Sequence, residues 1–536
     1  MTTAETDAPE PAETIERVMR FLFRNPLGIL LMLASASVCA YFIAPVMFHG
    51  IVFEFLLRNI HYELLAFFAT SYATRATKRY ASKRSGFRGL TIAIGFLIGS
   101  VAIASAFAAV IHGILNRKIY AESNFVETNT VPRVSITHVR YTPHQVASEE
   151  IVRRTQTSEY TPGNTRAIGG NDGVAYVAPL IPQGFWNMFL IKNQGFMYFD
   201  DAGSDDEIQR VSSIDTAPFA YGEGMEVTDD IHRRLVRDIG FFKSYPEIYY
   251  TPVFKEGKIT EVIGVVPYVS YNLYWGLWIP HWGGVAIFHA DGRLEDMAPE
   301  MAMTDARLVR SQRLFPEMLA KVYVESQRCD QGIISCWIRR QGKIEVPKLP
   351  GDVQMPFFLP MEDGSYQYIT TVEPDGEAYS LMRLYLVDAR TGARSVYRFD
   401  AEGRNHNLQG PAKVLSYVKR ISGYNWYEET SSGKSGSYRI VEPRLVTRDG
   451  RIYWMMSITP VDFARVVATV FVDAESNDVS GPFPNRQTTM AWLHGEEAAT
   501  PAGIVPMDSK HEACERLRKA CENINDLCPS SITTTP

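Results

Sequence analysis

The sequence lacks the short signatures of common catalytic and metal sites. It has no His-Glu-x-x-His run and no Cys-x-x-Cys pair, and its eleven histidines are scattered. That removes the usual zinc-hydrolase and zinc-ribbon patterns. His281 and His289 lie among aromatic residues and read as structural. Gly433-Lys434-Ser435 has the end of a phosphate-binding loop without its beginning, because Glu428 stands where the first glycine is needed. The acidic run Asp200, Asp201, Asp205, Asp206 and Glu207 lacks the alternating register of a calcium loop and reads as a solvated turn. A basic excess is also missing: 54 Lys and Arg face 60 Asp and Glu, a net charge of −6. This argues against a nucleic-acid partner. No secretory leader is visible, since the first 20 residues hold no short apolar stretch before a small-residue cleavage site. Residues 1–25 read as a disordered cytoplasmic tail. The sequence therefore assigns no catalytic residue, no cofactor and no metal.

Two long runs lack charge altogether. Gly28–Met47 and Leu90–Ile111 hold no Asp, Glu, Lys, Arg or His. At about 1.5 Å per residue each covers about 30 Å, the thickness of a bilayer's hydrocarbon core. Between them, 51–73 is apolar but carries Glu54, Arg58, His61 and Glu63. Basic residues cluster before the first run (Arg17, Arg20, Arg24) and before the last (Arg75, Lys78, Arg79, Lys83, Arg84, Arg88). The positive-inside rule puts both clusters in the cytoplasm. An even number of crossings must then separate them, so three spans are expected at about 28–47, 51–73 and 90–111, within a transmembrane region 26–115. The alternative, 51–73 as an interfacial helix and two spans, would turn the basic loop outward and the globular part inward. The rest of the chain is expected outside the cytoplasm, with the bacterial inner membrane the expected site. Glu54 and Arg58, four apart on a helix, form a candidate intramembrane pair.

After a polar, aperiodic segment at 116–134, read as a linker, the chain repeats a pattern. Helical stretches at 142–155, 228–238, 303–320 and 410–420 each precede a pair of apolar strands. The first strand of each pair follows Gly173, Gly257, Gly364 or Gly450, and the second ends in an acidic turn near Asp200, Asp291, Asp388 or Asp473. Such turns suit hairpins. The expected fold is α+β: N-terminal transmembrane helices followed by tandem helix-plus-antiparallel-sheet modules at 135–215, 216–300, 301–402 and 403–485, then a C-terminal tail, 486–536, with a short helix. The pattern resembles the PepSY-type domain, chiefly through Val387–Gly392 and Val472–Ser476, which are similar to that family's closing strand and turn. Pro132–Pro143 and Tyr176–Leu180 are similar to a group of large membrane proteins of bacteria and phages. The resemblance implies a helix-plus-sheet module of the cell envelope that inhibits proteases or serves in binding and sensing.

Aromatic residues concentrate in two places. Tyr268–Gly284, read as a loop between strands, holds Tyr271, Tyr274, Trp275, Trp278 and Trp282; the matching loop of the first module holds Phe185 and Trp186. Trp and Tyr favour bilayer interfaces and binding hot spots. Two readings stand open for them: contact with the membrane surface, the transmembrane helices or a partner, or an internal core between repeats. Cys329 and Cys336, seven apart around a glycine, form a candidate disulfide, while pairing among Cys514, Cys521 and Cys528 is open. The functional expectation is a membrane-anchored, extracytoplasmic binding or regulatory protein whose partners are the lipid bilayer and another membrane or envelope protein. A membrane-bound hydrolase with a site between modules and a structural subunit of a larger membrane complex are the alternatives.

Overall fold

The computed structural model describes Ser35 and residues 45–496, except 82–86, 156, 171–172, 202–210, 215–216, 227, 256–257, 310, 330–331, 333–342, 350–354, 377–378, 400, 402–407, 431–432 and 464. The chain is a mixed helix-and-sheet protein with a helical N-terminal part and several antiparallel sheets.

One described helix is long and apolar enough to cross a membrane: the segment Ile94–Ser123 of the helix Phe87–Ser123. It contains most of the last expected span. The first expected span, 28–47, lies largely outside the described residues. The middle one, 51–73, does not form as a single helix. A π-helical turn, Gly50–Leu57, ends at Arg58, and the helix Ile60–Ala76 starts afresh after Asn59. Asn59 breaks the run because its side-chain amide donates to the carbonyls of Glu54 and Phe55, at 3.2 and 2.8 Å. The 17 residues of the second helix cover only about 25 Å.

The long helix does not stop at the expected linker. It runs to Ser123, and Val126–Thr128 follows at once as a strand parallel to Arg394–Arg398. Residues 116–123 look polar and aperiodic, yet Leu115 and Ile119, four apart, place one apolar stripe in a core with Ile279 and Tyr323. Polar bonds fasten the same end: Gln327 donates to Ser123 Oγ at 2.7 Å and Arg394 to the Glu122 carbonyl at 3.0 Å.

Four larger sheets follow. Their central pairs are Val174–Pro182 with Phe196–Asp200, Lys258–Tyr274 with Leu277–Phe288, Tyr366–Pro374 with Arg383–Asp388, and Arg451–Pro460 with Ala468–Asp473, all antiparallel. Helices His144–Arg154, Ile231–Asp238, Glu317–Ser326 and Pro411–Val418 precede them in order. The turns closing the third and fourth pairs share one device. Asp388 Oδ1 accepts from the N–H of Arg390 and Thr391, and Asp473 Oδ1 accepts from Glu475 and Ser476. The first pair differs, since Asp201 turns inward to accept from the N–H of Tyr141 and Thr142, at 2.7 and 2.8 Å. The sheets pack directly on one another. The largest core joins the third and fourth around Trp454, whose indole N–H donates to the Gln409 carbonyl, and another joins the first and second around Phe196, Tyr250 and Phe288.

Candidate functional site at the helix–hairpin junction

The aromatic segment Tyr268–Gly284 is not a loop. It continues both strands of the second sheet into a long hairpin closed by the two-residue turn Trp275-Gly276. Both residues have positive φ, 51° and 83°, the conformation a tight right-twisting hairpin turn requires. At the base, β-branched residues such as Val265, Val266 and Ile287 are fully buried. Towards the tip, the register pairs Tyr271 with Pro280, Leu273 with Trp278, and Tyr274 with Leu277. Because side chains alternate along a strand, Tyr271, Leu273 and Trp278 share one face, and Tyr274, Leu277 and Ile279 share the other.

The first face meets the π-helical segment. Phe53 is fully buried, with its ring centroid 5.6 Å from Tyr271, 5.4 Å from Trp278 and 5.6 Å from Phe242. The Trp278 indole N–H donates to the Leu57 carbonyl at 2.9 Å. Glu54 and Arg58 are ion-paired, and Glu54 also accepts a hydrogen bond from the Ser244 hydroxyl. Ser244 in turn lies 2.7 Å from the Tyr271 hydroxyl, over whose ring the Arg58 guanidinium sits at 4.7 Å. Burial pushes the Tyr271 phenol up to about 12, with Glu54 adding to the rise and Arg58 and Ser244 opposing it. Tyr271 is thus a neutral hydrogen-bonding group here. The second face meets the end of the long helix, where Lys118 Nζ lies 4.0 Å from the Tyr274 ring centroid. The hairpin is held between the two helical segments.

The aromatic residues divide by position. Tyr271 and Trp278 pack against the helical segment. Trp282 faces inward, with its ring 5.5 Å from Phe315. Leu273, Tyr274 and Trp275 project, and Trp275 is 91% exposed. Phe185 and Trp186 stand elsewhere, beside the short helix Asn187–Leu190, where their ring partners are each other and Phe189. Cys329 ends a 3₁₀ turn, whereas Cys336 lies outside the described residues. Ser244, Phe242 and Lys118 complete the junction, and no local sequence pattern marks them.

The junction offers a clasp rather than a reaction centre, because its charges and hydroxyls are engaged with one another. Two other polar clusters are similarly engaged. His289 lies between Glu261 and Glu295, at 2.5 and 3.1 Å. Glu247 caps the helix Glu317–Ser326 by accepting from the N–H of Glu317 and Met318, at 3.2 and 2.8 Å. Among the described residues no group of three or more His, Cys, Asp or Glu is placed to hold a metal ion.

Two openings add to this picture. A groove of about 1020 Å³ runs between the turn at Asp363 and the turn at Asp449, with Arg133, Met361 and Leu493 in its lining. A smaller cavity, about 370 Å³, is lined by Asn164, Glu223 and His232 among others. Burial raises the Glu223 carboxyl, against the pull of His232 and Arg166. Burial alone would lower the His232 imidazole, but Asp230 and Glu223 outweigh it, so its net shift is upward. No protein-family model, curated protein or solved structure matches the chain.

Proposed function

We propose that this chain is a membrane-anchored binding or regulatory protein, with its sheets on the extracytoplasmic side of a bacterial inner membrane as PepSY-like modules that engage another membrane or envelope protein. The long helix carries this reading. Ile98, Val101, Ile103 and Phe107 are each more than half exposed on it. Such a contiguous apolar surface needs lipid or protein around it. The groove between the turns at Asp363 and Asp449, open and mixed in polarity, suits a protein segment better than a small apolar ligand. The test has two parts. Membranes containing the protein are washed with alkaline carbonate, where retention is expected and release overturns the anchor. Sealed cells are then treated with protease: digestion of the sheets is expected, and protection until the cells are opened overturns the orientation.

A membrane hydrolase is the second reading, favoured by the cavity that brings Glu223 and His232 together, a carboxyl and an imidazole that both hold their protons more tightly than usual. Glu223→Gln tests it: a hydrolytic activity of the purified protein that falls by two or more orders of magnitude would support it. Absence of any activity against ester and peptide libraries would remove it.

A further inference from the structure

We infer that the tip of the long hairpin, Leu273–Trp275, is a lipid-interface anchor that enters the headgroup layer of the leaflet from which the long helix emerges. The inference rests on the membrane reading above.

The first argument is Trp275 itself. A two-residue hairpin turn with positive φ favours Asn, Asp or Gly. Placing a bulky aromatic residue in the left-handed region costs about 1–2 kcal/mol. Burial does not offset this, because Trp275 is 91% exposed, and a Cβ at neighbouring Gly276 would meet nothing within 4 Å. Leu273 is 62% exposed beside it. The tip therefore spends folding stability on apolar surface that the fold does not cover.

The second argument is height. The charge-free run of the long helix ends at Ile111, and Lys118 is seven residues further on, which is about 10 Å along a helix. The polar layer beyond each side of the hydrocarbon core is about 5–8 Å deep. That sets the Lys118 backbone just beyond the layer, but helical side chains lean back towards the helix N-terminus. Lys118 Nζ lies 4.0 Å from the Tyr274 ring, so Tyr274 stands at the outer edge of that layer, where Tyr and Trp concentrate. Trp275 is the next residue along the tip.

The third argument is charge. Lys118 stands on the helix beside the tip, and Arg117, next to it in the chain, lies over the Tyr120 ring of the same helix, while Glu54 is already neutralised by Arg58. Phe242, 54% exposed and stacked on Trp278 at 5.9 Å, widens the apolar ledge. Apolar and aromatic side chains next to cations that form no ion pair among the described residues fit phospholipid headgroups above acyl chains.

The test uses the full chain in vesicles of phosphatidylcholine and phosphatidylglycerol carrying bromine at shallow acyl positions. Tryptophan emission is compared for the wild type and for Trp275→Asn, a residue that accepts the left-handed turn; the difference spectrum belongs to Trp275. Loss of most of that difference signal in brominated vesicles, with little quenching by aqueous acrylamide, is the expected result. A difference signal quenched by acrylamide and untouched by bromine overturns the inference. So does a signal shielded from both, which would place a protein over the tip. Carbonate washing of the same vesicles separates the two claims: release of the protein defeats the membrane reading, whereas retention with a water-exposed Trp275 defeats only the anchor.

Discussion

Two joints in this molecule are each closed by an arginine and a glutamate, and they are built on different physics. At the helix–hairpin junction, Arg58 and Glu54 are four residues apart and about 30% exposed, and aromatic rings around Phe53 supply most of the contact. Between the first and fourth sheets, Arg140 and Glu442 are 302 residues apart and almost fully buried, meeting at 2.8 and 3.0 Å. There the carboxylate also accepts from the His144 N–H, and Arg444 donates to the carbonyl of Tyr141 and the hydroxyl of Ser457. A partly exposed pair can be lost cheaply. A buried one cannot lose a single partner without leaving a charge in a medium that does not solvate it.

Breaking the buried joint should have the largest effect. Glu442→Gln leaves Arg140 and Arg444 with only the Asp201 carboxylate near them, and a loss of about 4 kcal/mol is expected, read as a fall in the denaturation midpoint in mild detergent. A Glu442→Gln protein as stable as the wild type would erase the contrast. Phe53→Ala comes next, at about 3 kcal/mol, from a cavity among five rings. It should loosen the hairpin from the helices while leaving the first and fourth sheets joined, which hydrogen exchange at Val269–Tyr274 would report.

A third carboxylate sharpens the comparison because it has no guanidinium. Glu373 is buried, one of its oxygens has no hydrogen-bond partner, and burial pushes it up to about 7 despite a bond from the Ala412 N–H. Its proton is held more tightly in the folded chain than in the unfolded one. Stability is therefore fully present below about pH 4.5 and declines as pH rises to about 7, by about 2–3 kcal/mol. Glu373→Gln should flatten that decline in a pH series of denaturation midpoints. Glu54→Gln should remove only about 1 kcal/mol. Trp275→Asn should act in the opposite direction and raise the midpoint, by relief of up to about 1 kcal/mol in the left-handed turn.

What could be read from the sequence follows from how local each signal is. The apolar helix was visible because charge is absent over the whole of Leu90–Ile111. The four central strand pairs were visible because glycine and aspartate punctuate them. The hairpin tip reads as a loop in the sequence because Trp275-Gly276 is not a favoured turn pair and aromatic residues on both faces hide the alternation that marks a strand. The end of the long helix was misread as a linker because Ile119 is the single apolar residue of 116–120 apart from Tyr120. Arg140 and Glu442 carry no mark at all, since partners 302 residues apart share no local pattern.

The unbroken helix from Phe87 to Ser123 has a mechanical meaning. Its 37 residues form a rod about 55 Å long, and its last turns are set into the same core as Ile279 and Tyr323. With no pliant stretch between the apolar length and the sheets, the rod is a shaft and not a tether. A tilt of about 10° at one end displaces the other by roughly 10 Å. On the proposed membrane reading, any change in how the bilayer seats the helix turns the sheets with it.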